Sequence, residues 1–354
     1  MCERRMGGGG GAERGDFVCP GSRVVLRIGV CWRRVELLLP AVAVVLGLVG
    51  LVLGADRFVY GASNLARRLG VSPLIVGMLI VGLGTSAPEM LVSATAALDG
   101  SGGIALGNAV GSNITNIGLV LGVTAIIKPI ELHGDVVRRE FPVLLAITAV
   151  VGLLLYDLEL TPLDGGLMLL MLTVFLIRAI RSGRAGEEEG DADKETSVGY
   201  GRAVLWLVIG LAVLVGSSRA VVYGAETIAT SLGVSDLIIG LTIVAIGTSL
   251  PELAASAASA FRGEHAMAIG NVLGSNVFNM LAVMPFPALL DPGELESALF
   301  FRDYAVMGGL TVLLMLFSIG YQRRGRINRF EGGVFALCYA SYVTWLVLSA
   351  TGVV

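Results

Sequence analysis

Charge is scarce in this 354-residue chain: only 15% of residues are charged, against 55% hydrophobic. Soluble domains average about 25% charged and roughly 45–50% apolar. Histidine is nearly absent, with only His133 and His265, so histidine metal chemistry is excluded. The four cysteines, Cys2, Cys19, Cys31 and Cys338, show no C-x-x-C spacing, which leaves neither a zinc cluster nor a disulfide framework. No H-E-x-x-H motif and no catalytic-looking Ser–His pair occurs, so an enzyme is the weakest reading. No feature of the sequence points to a nucleic-acid partner or to a cofactor.

What the chain has in abundance is apolar length. Mean hydropathy is +0.81, and several stretches approach or exceed the ~20 apolar residues that cross a bilayer. The pattern predicts an all-α polytopic membrane protein with ten transmembrane helices near 36–66, 72–98, 103–127, 140–156, 160–180, 201–230, 236–260, 266–289, 300–319 and 328–350. Residues 1–35 form a Gly- and Arg-rich tail without amphipathic period, expected to be disordered and without the ordered parts of a signal peptide. Residues 182–199, carrying Glu187, Glu188, Glu189, Asp191 and Asp193, read as a solvated linker. The linker divides a first five-helix unit (36–181) from a second (200–354).

The charges that remain are sorted. Arg67, Arg68, Lys128, Arg138, Arg139, Arg178, Arg181, Arg184, Lys194, Arg202, Arg262, Arg323, Arg324, Arg326 and Arg329 fall at odd-numbered connections. Asp99, Asp157, Glu159, Asp164, Asp236, Asp291, Glu294, Glu296 and Asp303 fall at even-numbered ones, where Arg302 is the sole basic residue. Basic loops stay cytoplasmic, which predicts a plasma-membrane protein with both termini outside; Arg33 and Arg34 run against that assignment. Because five is odd, the second half enters from the opposite face, and the halves form an inverted repeat.

One motif pair recurs. Gly84-Thr85-Ser86-Ala87-Pro88-Glu89 returns as Gly247-Thr248-Ser249-Leu250-Pro251-Glu252, and Gly107-Asn108-Ala109-Val110-Gly111-Ser112-Asn113 returns as Gly270-Asn271-Val272-Leu273-Gly274-Ser275-Asn276. Both blocks repeat at an offset of 163 residues (84 to 247, 107 to 270). Pro88 and Pro251 have no N–H to reach the carbonyl four residues back, so each opens its helix at a point where backbone oxygens need another partner. Thr85 and Ser86 stand four and three residues before Glu89, on one helical face, and Thr248 and Ser249 stand likewise before Glu252. Ser112 with Asn116, and Ser275 with Asn279, repeat the spacing of four on the following helix. Asn113 and Asn276 are turned roughly 100° from their neighbouring serines by the helical period and are second choices as ligands.

An acidic residue at mid-bilayer costs about 2.5–3.5 kcal/mol, and two facing carboxylates also repel. A bound cation removes both penalties, as does a proton. The oxygens gathered here suit calcium, which takes 6–8 of them, and sodium. Gly107, Gly111, Gly270 and Gly274 read as small-residue pairs permitting close helix approach. Asn108 and Asn271 read as backbone caps or interhelical hydrogen bonds. Asp56 and Arg219, 163 apart, either pair with each other or extend to the interface.

At these residues the chain resembles the cation/calcium exchanger superfamily, in particular its prokaryotic sodium/calcium exchanger branch. The likeness spans 36–350 in layout and is most specific at 82–118 and 245–281. The resemblance implies ten helices in inverted halves and an alternating-access antiporter that exchanges calcium for sodium. It makes Glu89 and Glu252 the central cation ligands, supported by Thr85, Ser86, Ser112, Thr248, Ser249 and Ser275 and by carbonyls at Gly82 and Ala245. Two positions depart from relatives: Gly82 stands where Ala is frequent, and Asn279 where some carry Asp. With Asn116 also neutral, the counter-ion and stoichiometry stay open. Sodium is favoured over a proton- or potassium-coupled antiporter, and a cation channel is a further alternative. Oligomeric state is not legible.

Overall fold

The computed structural model describes residues 25–132, 136–183, 198–234, 236–239, 242–243, 245–319 and 325–351. The acidic part of the linker and residues 1–24 of the tail lie outside them. The fold is helical. Helix α1 is Val25–Leu69; α2, Pro73–Thr85, and α3, Ala87–Leu98, form one segment bent by 45°. Then come α4, Gly102–Ile127, α5, Phe141–Leu154, and α6, Pro162–Gly183. The second half holds α7, Tyr200–Ser231, α8, Ala245–Thr248, and α9, Leu250–Phe261. It ends with α10, His265–Leu290, α11, Leu299–Ile319, and α12, Arg329–Ala350. Among the described residues seven helices are long and apolar enough to cross a membrane, eight if the bent pair counts as one. Helix α1 begins at Val25, so the tail boundary expected at residue 35 falls inside a helix.

The helices that lie inside are those that carry buried amides and hydroxyls. Helices α10 and α4, with mean hydropathies of 1.4 and 1.6, have 83% and 72% of their apolar windows buried, whereas α11 and α12, at 1.5 and 1.6, have 33% and 11%. Helices α10 and α4 carry the Gly-Asn-x-x-Gly-Ser-Asn blocks. Helices α1 and α7, with mean hydropathies of 2.7 and 2.0, are mostly uncovered, and Leu38, Leu46, Leu53, Leu205 and Val208 face outward. Lipid solvates such side chains and cannot solvate amides or hydroxyls, so the polar helices are sequestered by the apolar ones.

Contacts between connections fall into two sets. In one, residues 130–131 pair antiparallel with 326–327, Arg67 bridges Glu264 at 2.7 Å, Lys128 Nζ donates to the Phe261 carbonyl at 3.3 Å, and Arg178 pairs with Glu140 at 2.8 Å. In the other, residues 159–160 pair with 293–294, and the Gly102 N–H donates to Asp291 at 2.7 Å. The first set joins odd-numbered connections to one another, and the second joins even-numbered ones. Asp56 does not use Arg219: its carboxylate is held by Arg262, whose Nε donates at 3.0 Å, and by Arg57 at 3.1 Å.

The glycine pairs are not equivalent. A Cβ on Gly274 would stand 2.2 Å from the Met78 carbonyl oxygen, and one on Gly270 would stand 2.4 Å from that of Leu74, so α10 and α2 touch backbone to backbone. Among the described residues, a Cβ on Gly107 or Gly111 would meet nothing within 4 Å. Among the described residues, the close approach expected at all four glycines is seen at Gly270 and Gly274. Gly274→Ala is therefore expected to lower the thermal midpoint in detergent, with a steric cost of about 1–3 kcal/mol. A Gly274→Ala protein as stable as the parent would contradict this packing.

Candidate functional site

Both helix breaks form where Pro and Gly require them. Ser86 leaves helical geometry at φ −81° and ψ 0°, between α2 and α3, and Ser249 does so at φ −91° and ψ 4°, between α8 and α9. Each proline enters the first turn of the next helix, where its missing N–H costs least. Glu89 and Glu252 occupy the same first turns, where exposed N–H groups favour an anion.

Pro251 frees the carbonyl of Gly247, and Ser218 on α7 takes it up: Ser218 Oγ donates to Gly247 O at 2.7 Å. At the 163-residue offset the equivalent of Ser218 is Ala55, which has no hydroxyl to offer.

The two copies converge. Glu89 and Glu252 are each 1% exposed. The first copy is joined to the second through Asn271, which accepts from Thr85 Oγ1 and whose Nδ2 holds the Glu252 carbonyl. Thr85 Oγ1, with one proton to donate, lies within hydrogen-bond distance of the Val81 carbonyl at 3.1 Å and of Asn271 Oδ1 at 3.2 Å, and 3.5 Å from Ser275 Oγ. The Gly82 carbonyl accepts from Ser86 N at 3.0 Å, from Thr85 Oγ1 at 3.3 Å and from Ser275 Oγ at 3.4 Å. One break is thus stitched directly to α10. On the other side, Thr248 Oγ1 turns back to the Ala245 carbonyl at 3.2 Å, and Ala245 is exposed. Ser112 and Ser275 are buried, as are Asn116 and Asn279.

Several buried oxygens in this cluster have no hydrogen-bond partner at bonding distance: Glu89 Oε2, Glu252 Oε2, Ser86 Oγ, Ser249 Oγ, Asn116 Oδ1 and Asn279 Oδ1. They come as three pairs related by the repeat. Buried polar atoms are almost always bonded, so a set of orphaned acceptors with two carboxylates among them fits a hard cation. Among the described residues no group of three or more His, Cys, Asp or Glu could hold a metal. Any ion here would be held by two carboxylates and neutral oxygens.

Asn108 and Asn271 brace the acidic turns. Asn108 Nδ2 donates to the Glu89 carbonyl at 3.3 Å and to Ser93 Oγ at 2.9 Å; Asn271 Nδ2 donates to the Glu252 carbonyl at 3.2 Å and to Ser256 Oγ at 2.9 Å. Sequence reasoning passed over Ser93 and Ser256, although both stand four residues beyond their glutamates, and it passed over Ser218. It also missed wide π-helical turns beginning at Asn116 and Asn279, a feature frequent at functional sites.

Comparison with known proteins places these residues in context. The model of the sodium/calcium exchanger protein family matches residues 39–181 and 202–348. CaxA of Alkalimonas amylolytica is 46% identical over 312 residues, covering 86% of this chain and 98% of its own length. The sodium/calcium exchanger MaX1 of Methanosarcina acetivorans is 30% identical over 341 residues, covering 85% and 96%. Among solved structures, the sodium-calcium exchanger NCX_Mj, soaked with Na+ and Sr2+, matches with a TM-score of 0.76 at 33% identity, covering 87% of this chain and 98% of that one.

Loss of the Ser218 hydroxyl leaves the Gly247 carbonyl without its donor in an apolar setting, a cost of about 1–3 kcal/mol. Ser218→Ala is expected to lower the thermal midpoint, and Ser218→Thr, which keeps the hydroxyl, to lower it less. A Ser218→Ala protein as stable as the parent would show that the bond carries no weight.

Proposed function

The chain belongs to the sodium/calcium exchanger family, an integral membrane exchanger by that membership, and on this premise we propose that it moves calcium against sodium by alternating access between its two broken helices. The observation that carries the proposal is the pair Glu89 and Glu252, buried, linked through Thr85 and Asn271, each with an oxygen that no described donor satisfies. The ligands are Glu89, Glu252, Thr85, Ser86, Thr248, Ser249, Ser112, Asn116, Ser275 and Asn279, with carbonyls at Gly82 and Ala245. Calcium takes both carboxylates; sodium ions compete for the same oxygens and release it.

The membrane domain is read as ten crossings in two inverted halves, 36–181 and 200–354, joined by a cytoplasmic linker, in the plasma membrane with both termini outside. The separation of odd- from even-numbered connections supports alternate crossings. Transporters of this design hold substrate at the repeat interface and rock one part against the other. In the described state α2 is clasped against α10 through Gly270 and Gly274. A state with the clasp exchanged between the halves opens the opposite face.

Radioactive calcium uptake into sodium-loaded proteoliposomes, in sodium-free medium at equal pH, tests the proposal. Uptake driven by outward sodium and reduced by at least about 100-fold in Glu252→Gln is expected, since an essential charged ligand is lost. Orphaned carboxylate oxygens also suit protons, so a proton gradient without sodium is run in parallel. Uptake driven only by that gradient would replace sodium with protons as the counter-ion, and uptake needing neither gradient would indicate a channel.

A further inference from the structure

Asn279 is a neutral amide, and an amide offers a cation either a carbonyl oxygen or a repelling NH2 group. Which of the two it presents is therefore a property of its hydrogen bonds. Asn279 Nδ2 donates to Asn113 Oδ1 at 3.1 Å, and Asn113 Nδ2 in turn donates to Met307 Sδ at 3.3 Å. Asn279, Asn113 and Met307 are each 1% exposed, and Asn279 Oδ1 has no donor. A thioether sulfur accepts and cannot donate. The sulfur thus holds the NH2 side of Asn113 toward itself and the oxygen side toward Asn279. That oxygen captures the NH2 of Asn279 and leaves its carbonyl oxygen unengaged.

We propose that Met307 and Asn113 are positioning residues that fix the Asn279 amide with its oxygen toward the transported cation. The inference rests on the cation-site reading above and adds to it two residues outside the ligand set.

The second copy supplies an internal control. At the 163-residue offset, Asn113, Asn279 and Met307 correspond to Asn276, Asn116 and Leu144. The register holds this far along the chain: Thr311 Oγ1 donates to the Met307 carbonyl and Thr148 Oγ1 to the Leu144 carbonyl, both at 2.9 Å. Leucine has no acceptor. There neither amide atom of Asn276 has a partner, and Asn116 Oδ1 is likewise unbonded. Where the sulfur is missing, the chain of amide bonds is missing as well. The motif alone therefore does not build the relay, and Met307 marks the difference between the two halves.

The test is a double-mutant cycle read as calcium dependence of uptake into sodium-loaded proteoliposomes, using Asn113→Leu, Asn279→Ala and both together. Asn113→Leu is expected to raise half-saturating calcium about three- to ten-fold, with maximal rate within about two-fold of the parent. The double variant is expected to match Asn279→Ala alone, because Asn113 acts only through Asn279. Multiplying effects, or an unchanged half-saturation in either single variant, would overturn the relay. If Asn113→Leu does not fold, Met307→Leu, which conserves volume and removes the acceptor, takes its place in the same cycle with the same expected pattern. Glu252→Gln is measured alongside. Parent-like uptake in that variant removes the cation-site reading and the relay with it; abolished uptake with independent effects at 113 and 279 removes the relay alone.

Discussion

The structure depends on keeping two carboxylates and their neighbouring amides and hydroxyls out of hydrocarbon. In a bilayer an unsatisfied polar group costs several kcal/mol, and a carboxylate at the centre adds about 2.5–3.5 kcal/mol on insertion scales. The remaining architecture follows from that cost. The polar helices α4 and α10 are driven inside, the apolar helices α1 and α7 form part of the shell, and the helix breaks face the centre. Hydrogen bonds then satisfy much of what is buried: Ser218 for Gly247, Asn108 and Asn271 for the glutamate carbonyls, Thr85 for Asn271. They leave unsatisfied an oxygen on each of Glu89 and Glu252 and the oxygens beside them, and also Thr124 Oγ1, Ser259 Oγ and the Asn276 amide. Two carboxylate oxygens among the unsatisfied acceptors suit a cation as the missing partner.

The two copies of the motif are alike in sequence and unlike in packing. Asn271 takes part in both braces, holding the Glu252 carbonyl and accepting from Thr85, whereas Asn108 holds only its own turn and Ser93. Gly270 and Gly274 lie against the α2 backbone, while Gly107 and Gly111 meet no described neighbour. Small differences outside the motif contribute: serine at 218 against alanine at 55, methionine at 307 against leucine at 144. A duplicated site can therefore bind with unequal halves, which suits a carrier that must occupy two arrangements in turn.

Much of this was legible in the sequence. Apolar length and the placement of Arg, Lys, Asp and Glu marked the helices and the two sets of connections, because the bilayer imposes both. The prolines marked the breaks, because helical geometry is local. Long-range pairing was less accessible. Nothing in the sequence near Asp56 favours Arg262 over Arg219, and the glycine pairs at 107–111 and 270–274 are identical as text. Ser218, Asn113 and Met307 matter through neighbours distant in sequence, 29 to 194 residues away, a relation that periodicity does not encode.

Equilibrium calcium binding to the purified protein in detergent, titrated with sodium, tests the central claim most directly. A single shared site predicts one calcium per chain, displaced by sodium, and lost on either Glu89→Gln or Glu252→Gln alone. Two calcium ions bound independently, or full binding in either single variant, would contradict a site built jointly by the two broken helices.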